Sequence, residues 1–170
     1  MTDTTIQTEF GPGIKFYSDW PNEAKLRTGM HLQHAVARDS SLTLHIEIAP
    51  IAAPGQSPNW QEKIVLQLTR GELVAVCATL LGFRKTAKGS YHGKQRNKGF
   101  QVHSNPSKGA LFALNEKGVQ LQHMVDQNGR AEIAAFILNR VAQAWQLDPG
   151  TCLAVLTNVE KNIPVPFEPA

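Results

Sequence analysis

The run Ile64-Val65-Leu66-Gln67-Leu68-Thr69-Arg70-Gly71-Glu72-Leu73 changes its hydrophobic period in the middle. Ile64, Leu66 and Leu68 alternate with Lys63, Val65 and Gln67, the period of two that marks a half-buried strand. Thr69 followed three residues later by Glu72 then fits a capping box, and Leu73, Val76, Cys77, Leu80 and Leu81 recur at helical spacing until Gly82 offers a stop. A strand therefore runs directly into an amphipathic helix. The same joint recurs later. Val119-Gln120-Leu121-Gln122-His123 reads as the strand, and Ile133, Phe136, Ile137, Arg140, Val141, Ala144 and Trp145 mark a helix ending near Leu147, before Asp148-Pro149-Gly150. Two such joints in one chain point to an internal duplication.

Working outward, each joint is preceded by strands. Ile14 to Tyr17 is a short one, and Leu26, Thr28, Met30, Leu32, His34 and Val36 put the even positions of a long run on a core face. Leu42, Leu44, Ile46 and Ile48 repeat the pattern after a tight turn at Asp39-Ser40. The second half reads as a basic, glycine-containing stretch over 84–98, a strand at Phe100 to His103, a turn at Asn105-Pro106 and a strand at Ala110 to Asn115. The expected fold class is α+β: two antiparallel four-stranded sheets from a ββββα duplication, packed with two helices. Each sheet would have one face covered by helices and the other free for water or a ligand. The expected organisation is a flexible tail over 1–12, one domain over 13–150 with repeat units about 13–83 and 84–147, and an extended, proline-rich tail over 151–170.

The chain has 170 residues, 42% of them hydrophobic, enough for one core and too few to require two. No apolar run approaches the roughly 20 residues that cross a bilayer, and the first ten residues lack a basic segment followed by an apolar one, so a cytoplasmic protein is expected. Cys77 and Cys152 sit in unrelated contexts and are expected to be reduced and buried, with neither a disulfide nor a zinc site. The six histidines are scattered, and His31 and His34 fall on opposite faces of their strand. No nucleophile elbow, zinc-protease or phosphate-loop pattern is present. The expectation is a protein without catalysis, metal or cofactor.

The net charge is +3 and the pI is near 9.0, a modest excess that is unevenly spread. Between Glu72 and Glu116 there is no Asp or Glu, while Arg84, Lys85, Lys88, Lys94, Arg96, Lys98 and Lys108 supply seven of the 17 basic residues. Ordinary surfaces mix both signs. Tyr91, His92, Phe100 and His103 are interleaved with these cations, which is the combination of charge for phosphates and flat rings for bases that binds single strands. The solvent side of the early strands adds Lys15, Lys25, Arg27 and Lys63, and Trp20 and Trp60 are further rings able to stack a base or anchor a strand. Phe100 fits the core as well as it fits stacking. The expected binding residues are thus Lys25, Arg27, Trp60, Lys63, Lys85, Lys88, Tyr91, Lys94, Arg96, Lys98 and Phe100. Two other readings remain open: a homo-oligomeric module that docks an acidic protein through the basic segment, and an enzyme built around His45, His103 or His123.

Trp60-Gln61-Glu62-Lys63-Ile64-Val65-Leu66-Gln67-Leu68-Thr69, with the helix after it, resembles the plant Whirly proteins, and the likeness in order and spacing extends from Ile14 to Leu147. The resemblance implies two four-stranded sheets arranged like whirligig blades, a fold shared with transcriptional positive cofactor four and the mitochondrial RNA-binding proteins of trypanosomes. It implies binding of single-stranded DNA, or of RNA, with little sequence preference, by a tetramer or dimer, and it implicates Lys63 and Trp60. From it come the expectations of a preference for DNA and of a role in transcription regulation, DNA protection or DNA transfer. The lysine-rich motif that Whirly proteins carry near the end of an early strand is absent, since Lys15 is followed only by Lys25 and Arg27.

Overall fold

In the computed structural model, which describes residues 11–18 and 23–161, Thr69 caps the first long helix as its sequence requires. Thr69 Oγ1 accepts from the Glu72 N–H at 3.3 Å, and Glu72 Oε2 accepts from the Thr69 N–H at 2.9 Å. The helix, α1 (Arg70–Leu80), ends before Gly82, whose φ of +89° lies in the left-handed region that glycine enters without strain. Ahead of it come β1 (Gly13–Ser18), β2 (Thr28–Val36), β3 (Leu42–Pro50) and β4 (Ile64–Gln67). The second unit repeats the order with β5 (Thr86–His92), β6 (Lys98–Asn105), β7 (Gly109–Glu116), β8 (Val119–Val125) and α2 (Gln127–Trp145), and α3 (Pro149–Lys161) follows.

Among the described residues the strands form two antiparallel sheets, ordered β1-β2-β3-β4 and β5-β6-β7-β8. The α+β duplication expected from the sequence is the fold of the chain. Register obeys the alternation: Met30 pairs with Ile48 and Leu32 with Ile46, and all four are fully buried. Val36 departs from it, standing exposed at the end of β2 where the chain turns away. Phe100, Val102, Phe112 and Leu114 from the second sheet join the same core, which is closed by Leu73, Val76 and Leu80 of α1 and by Ile133, Ile137 and Val141 of α2.

Polar groups fasten the sheets to each other and to the helices. Thr28 of β2 donates its hydroxyl to the Gln122 carbonyl at 2.7 Å and lies 2.9 Å from Nδ1 of His123 in β8. Arg140 of α2 is buried, its Nε and Nη2 donating to the carbonyls of Thr43 (2.8 Å) and Ala35 (2.6 Å) on β3 and β2. Each bond satisfies a group whose burial would otherwise cost about 1–3 kcal/mol. Cys77 is buried in the core, where desolvation, with Cys152 nearby, pushes its thiol up to about 12.

The expected boundaries need three corrections. The extended tail over 151–170 is helical to Lys161. Asp148 accepts from the Thr151 N–H at 3.0 Å, Pro149 occupies the first turn, and Cys152 and Leu156, one turn apart, bury against the core. At the other end, Gly11 and Pro12 belong to the fold, since the Gly11 N–H donates to the His34 carbonyl and the His34 N–H to that of Pro12. The basic stretch over 84–98, read without a strand, contains β5 over Thr86–His92. Trp20, the first ten residues and the last nine lie outside the described residues.

Candidate nucleic-acid interface

Alternation along the first sheet turns one set of side chains away from the helices. Pairing sets Lys15 of β1 beside His31 of β2 and His31 beside Glu47 of β3. Trp60, in a 3-10 turn ahead of β4, meets the His31 ring edge-on with centroids 6.5 Å apart, and Lys15 Nζ lies 5.5 Å from the Trp60 ring. Gly29 makes room for this packing, because a Cβ there would come within 2.5 Å of Pro58 Cγ and 3.2 Å of Trp60. Tyr17 follows on the same face of β1 and is 63% exposed. Lys63 reaches this surface too, but its Nζ pairs with Glu47 Oε1 at 2.9 Å, so part of its charge is already answered. The surface therefore offers rings and mixed polarity more than excess positive charge.

Cations with rings gather instead at the β5–β6 hairpin. A register shift between Gly89 and His92 breaks the alternation, and Tyr91, Gly93 and Arg96 all have positive φ (63°, 82° and 54°). His92 is turned inward, its Nε2 2.9 Å from Glu72 Oε1 and its ring edge-on to Phe100. Tyr91 is turned outward and is 72% exposed, with the Arg96 guanidinium 5.7 Å from its ring centre. Lys88 and Lys94, three residues to either side in sequence, are also exposed. The ring is thus mounted on a strand anchored to α1.

Several expected site residues serve the fold. Phe100 is 2% exposed and belongs to the core. Lys98 donates from Nζ to the Val65 carbonyl at 2.9 Å, joining β6 to β4, and lies 3.9 Å from Glu116. Arg84, counted in the basic run, makes a two-pronged bond to Glu160, whose oxygens raise its pKa further. The acid-free stretch is therefore compensated in space by Glu72, Glu116 and Glu160, which arrive from its flanks and from α3. Lys25, on a 3-10 turn, and Lys85 are exposed, and among the described residues the cations set over rings are Lys15 and Arg96; Arg27 holds the Ala52 carbonyl at 3.4 Å. Of the eleven expected residues, the structure sets Arg96 against Tyr91 at the hairpin and links Trp60 with Lys63 through His31 and Glu47, while Lys88 and Lys94 are exposed on the same hairpin. Tyr17 was missing from that expectation, although its place two residues after Lys15 puts it on the same strand face.

No protein-family model and no curated protein matches the sequence. Solved structures do match. A guide-RNA-binding protein complex bound to a guide RNA superposes with a TM-score of 0.57 at 11% identity, over 80% of this chain and 92% of that one. Trypanosoma brucei MRP1/MRP2 superposes with a TM-score of 0.54 at 10% identity, over 78% of this chain and 85% of that one. The chain has the Whirly-like fold of these structures. At 11% and 10% identity few side chains are shared, so the likeness is one of backbone architecture.

Proposed function

We propose that the protein binds single-stranded nucleic acid, without catalysis or cofactor, on the outer face of the first sheet and at the β5–β6 hairpin. The observation that carries this reading is Tyr91: a ring 72% exposed, held outward by a bulged strand, with Arg96 against it and Lys88 and Lys94 exposed on the same hairpin. Burying such a ring against a base gives it the partner that water does not, and stacking tolerates any base. Trp60 and Tyr17 supply a second set of rings on an open sheet face. The matching complex that holds a guide RNA supports the same class of ligand. Binding of DNA in preference to RNA, action as a homo-oligomer, and a role in transcription or DNA protection are refinements of this proposal that rest on the family resemblance. RNA is the better supported of the two ligands on structural likeness, so both belong in the test.

The test is fluorescence anisotropy with labelled oligo(dT), oligo(U) and a duplex of equal length. Single strands should bind at low salt, with log affinity falling against log salt by about 0.7 per phosphate contacted. Tyr91→Ala should weaken binding about 5- to 150-fold, the equivalent of about 1–3 kcal/mol for one stacked base. No affinity for either single strand at low salt, or an affinity indifferent to salt, would sink the proposal.

A further inference from the structure

A groove of about 860 Å³ draws its cations from three separate elements. Arg38 lies in the β2–β3 turn, Arg70 is the first residue of α1, and Lys94 sits at the β5–β6 tip; all three line the groove and are exposed. Among the described residues none of them forms an ion pair with a carboxylate. The acid on the groove wall is Asp39, and its carboxylate is turned to its own loop. It accepts from the Ser41 hydroxyl and, at 3.0 Å, from the Ser41 N–H, bonds that hold it below the usual carboxylate range, with Arg70 adding a smaller effect. Three cations against one internally engaged carboxylate leave the groove positive.

Through its lining residues the groove adjoins both surfaces already described. Gln67 lines it and also bonds His45 on the outer face of the first sheet, Oε1 to Nε2, at 2.9 Å. Gly93 and Lys94 line it too and belong to the hairpin that carries Tyr91 and Arg96. Cations spaced along a groove that adjoins two ring-bearing surfaces suit a chain that alternates phosphates and bases, whereas an acidic peptide has no use for the rings.

We propose that this groove carries the phosphodiester backbone of a bound single strand from the outer face of the first sheet to the Tyr91 hairpin. Arg38, Arg70 and Lys94 are its phosphate contacts. The proposal rests on the single-strand-binding reading above, and one set of variants separates the two. The groove triple variant Arg38→Gln, Arg70→Gln, Lys94→Gln is compared with a control triple, Lys85→Gln, Lys117→Gln, Lys161→Gln, which removes the same charge from exposed positions that do not line the groove. Each is titrated with labelled oligo(dT) and oligo(U) across a salt series.

The groove triple should make the log–log salt slope shallower by about 2, three contacts at about 0.7 each, while the control leaves it unchanged. Arg38→Lys with Arg70→Lys should keep the wild-type slope. All six positions are exposed, so melting temperatures should match wild type. Equal changes in slope for both triples would mean a net-charge effect and overturn the proposal. So would an unchanged slope in the groove triple while Tyr91→Ala weakens binding, a result that leaves the single-strand reading standing. If wild type binds no oligonucleotide but binds polyglutamate through Arg38 and Arg70, both fall.

Discussion

His123 should make this protein acid-labile over a defined window. The side chain is 1% exposed, sits against Thr28 where the sheets meet, and is held by burial at a pKa of about 4 in place of 6.5. Between those two values the unfolded chain takes up a proton that the folded chain refuses. Stability is thus fully present above pH 6.5 and is lost as pH falls toward 4, beyond which this residue adds no further slope. A difference of that size corresponds to about 3 kcal/mol, a large part of the 5–15 kcal/mol typical of a domain. His34 is also buried with a lowered pKa, first by desolvation and then by Arg140, and pulls in the same direction. The contribution of His123 is therefore read as a difference. His123→Asn removes the titration and retains an amide N–H where Nδ1 meets Thr28, at the cost of some packing. Urea unfolding of wild type and variant should converge by about 3 kcal/mol as pH falls from about 7 to 4. The reasoning is refuted if the two pH profiles run parallel, or if NMR places the His123 titration near its ordinary value.

Other expectations follow from the packing. Arg140→Met should destabilise by at least about 2 kcal/mol in urea melts, because the Thr43 and Ala35 carbonyls lose their donor. Leu156→Ala should cost about 2–5 kcal/mol; an unchanged midpoint would contradict the docking of α3. Gly89→Ala would press a Cβ onto Glu72 Oε1 and to 2.5 Å from Phe100 Cε1. It should cost about 1–3 kcal/mol and also weaken oligonucleotide binding by displacing the Tyr91 hairpin, measured by melting and anisotropy on one sample.

The strand-to-helix joints were legible because each carries its own punctuation: alternation, then Thr69 with Glu72, then helical spacing. β5 was not legible. In Thr86-Ala87-Lys88-Gly89-Ser90-Tyr91-His92 only Ala87 is buried, and Gly89 stands where Glu72 and Phe100 leave no room for a side chain, so no hydrophobic alternation survives. Such edge strands, short of apolar residues and marked by charge and a bulge, also resist pairing with other chains. α3 was hidden for a similar reason, since Cys152 and Leu156 alone are buried while Leu153, Val155 and Val159 face outward. At the candidate site, the sequence located the cations but not their partners. Arg84 meets Glu160 across 76 residues, and Lys98 meets the Val65 carbonyl across 33, pairings decided only when the sheets close on each other. Arg70 was absorbed into the capping box, and nothing near Arg38 in sequence shows that a turn brings it to the same groove.

Glu72 divides its two oxygens between tasks, Oε2 closing the cap of α1 and Oε1 holding His92 of the hairpin. One carboxylate thereby ties the start of a core helix to the loop that displays Tyr91. Loss of that carboxylate releases the ring support and frays the helix together, so a variant at position 72 should change folding and ligand capture in step.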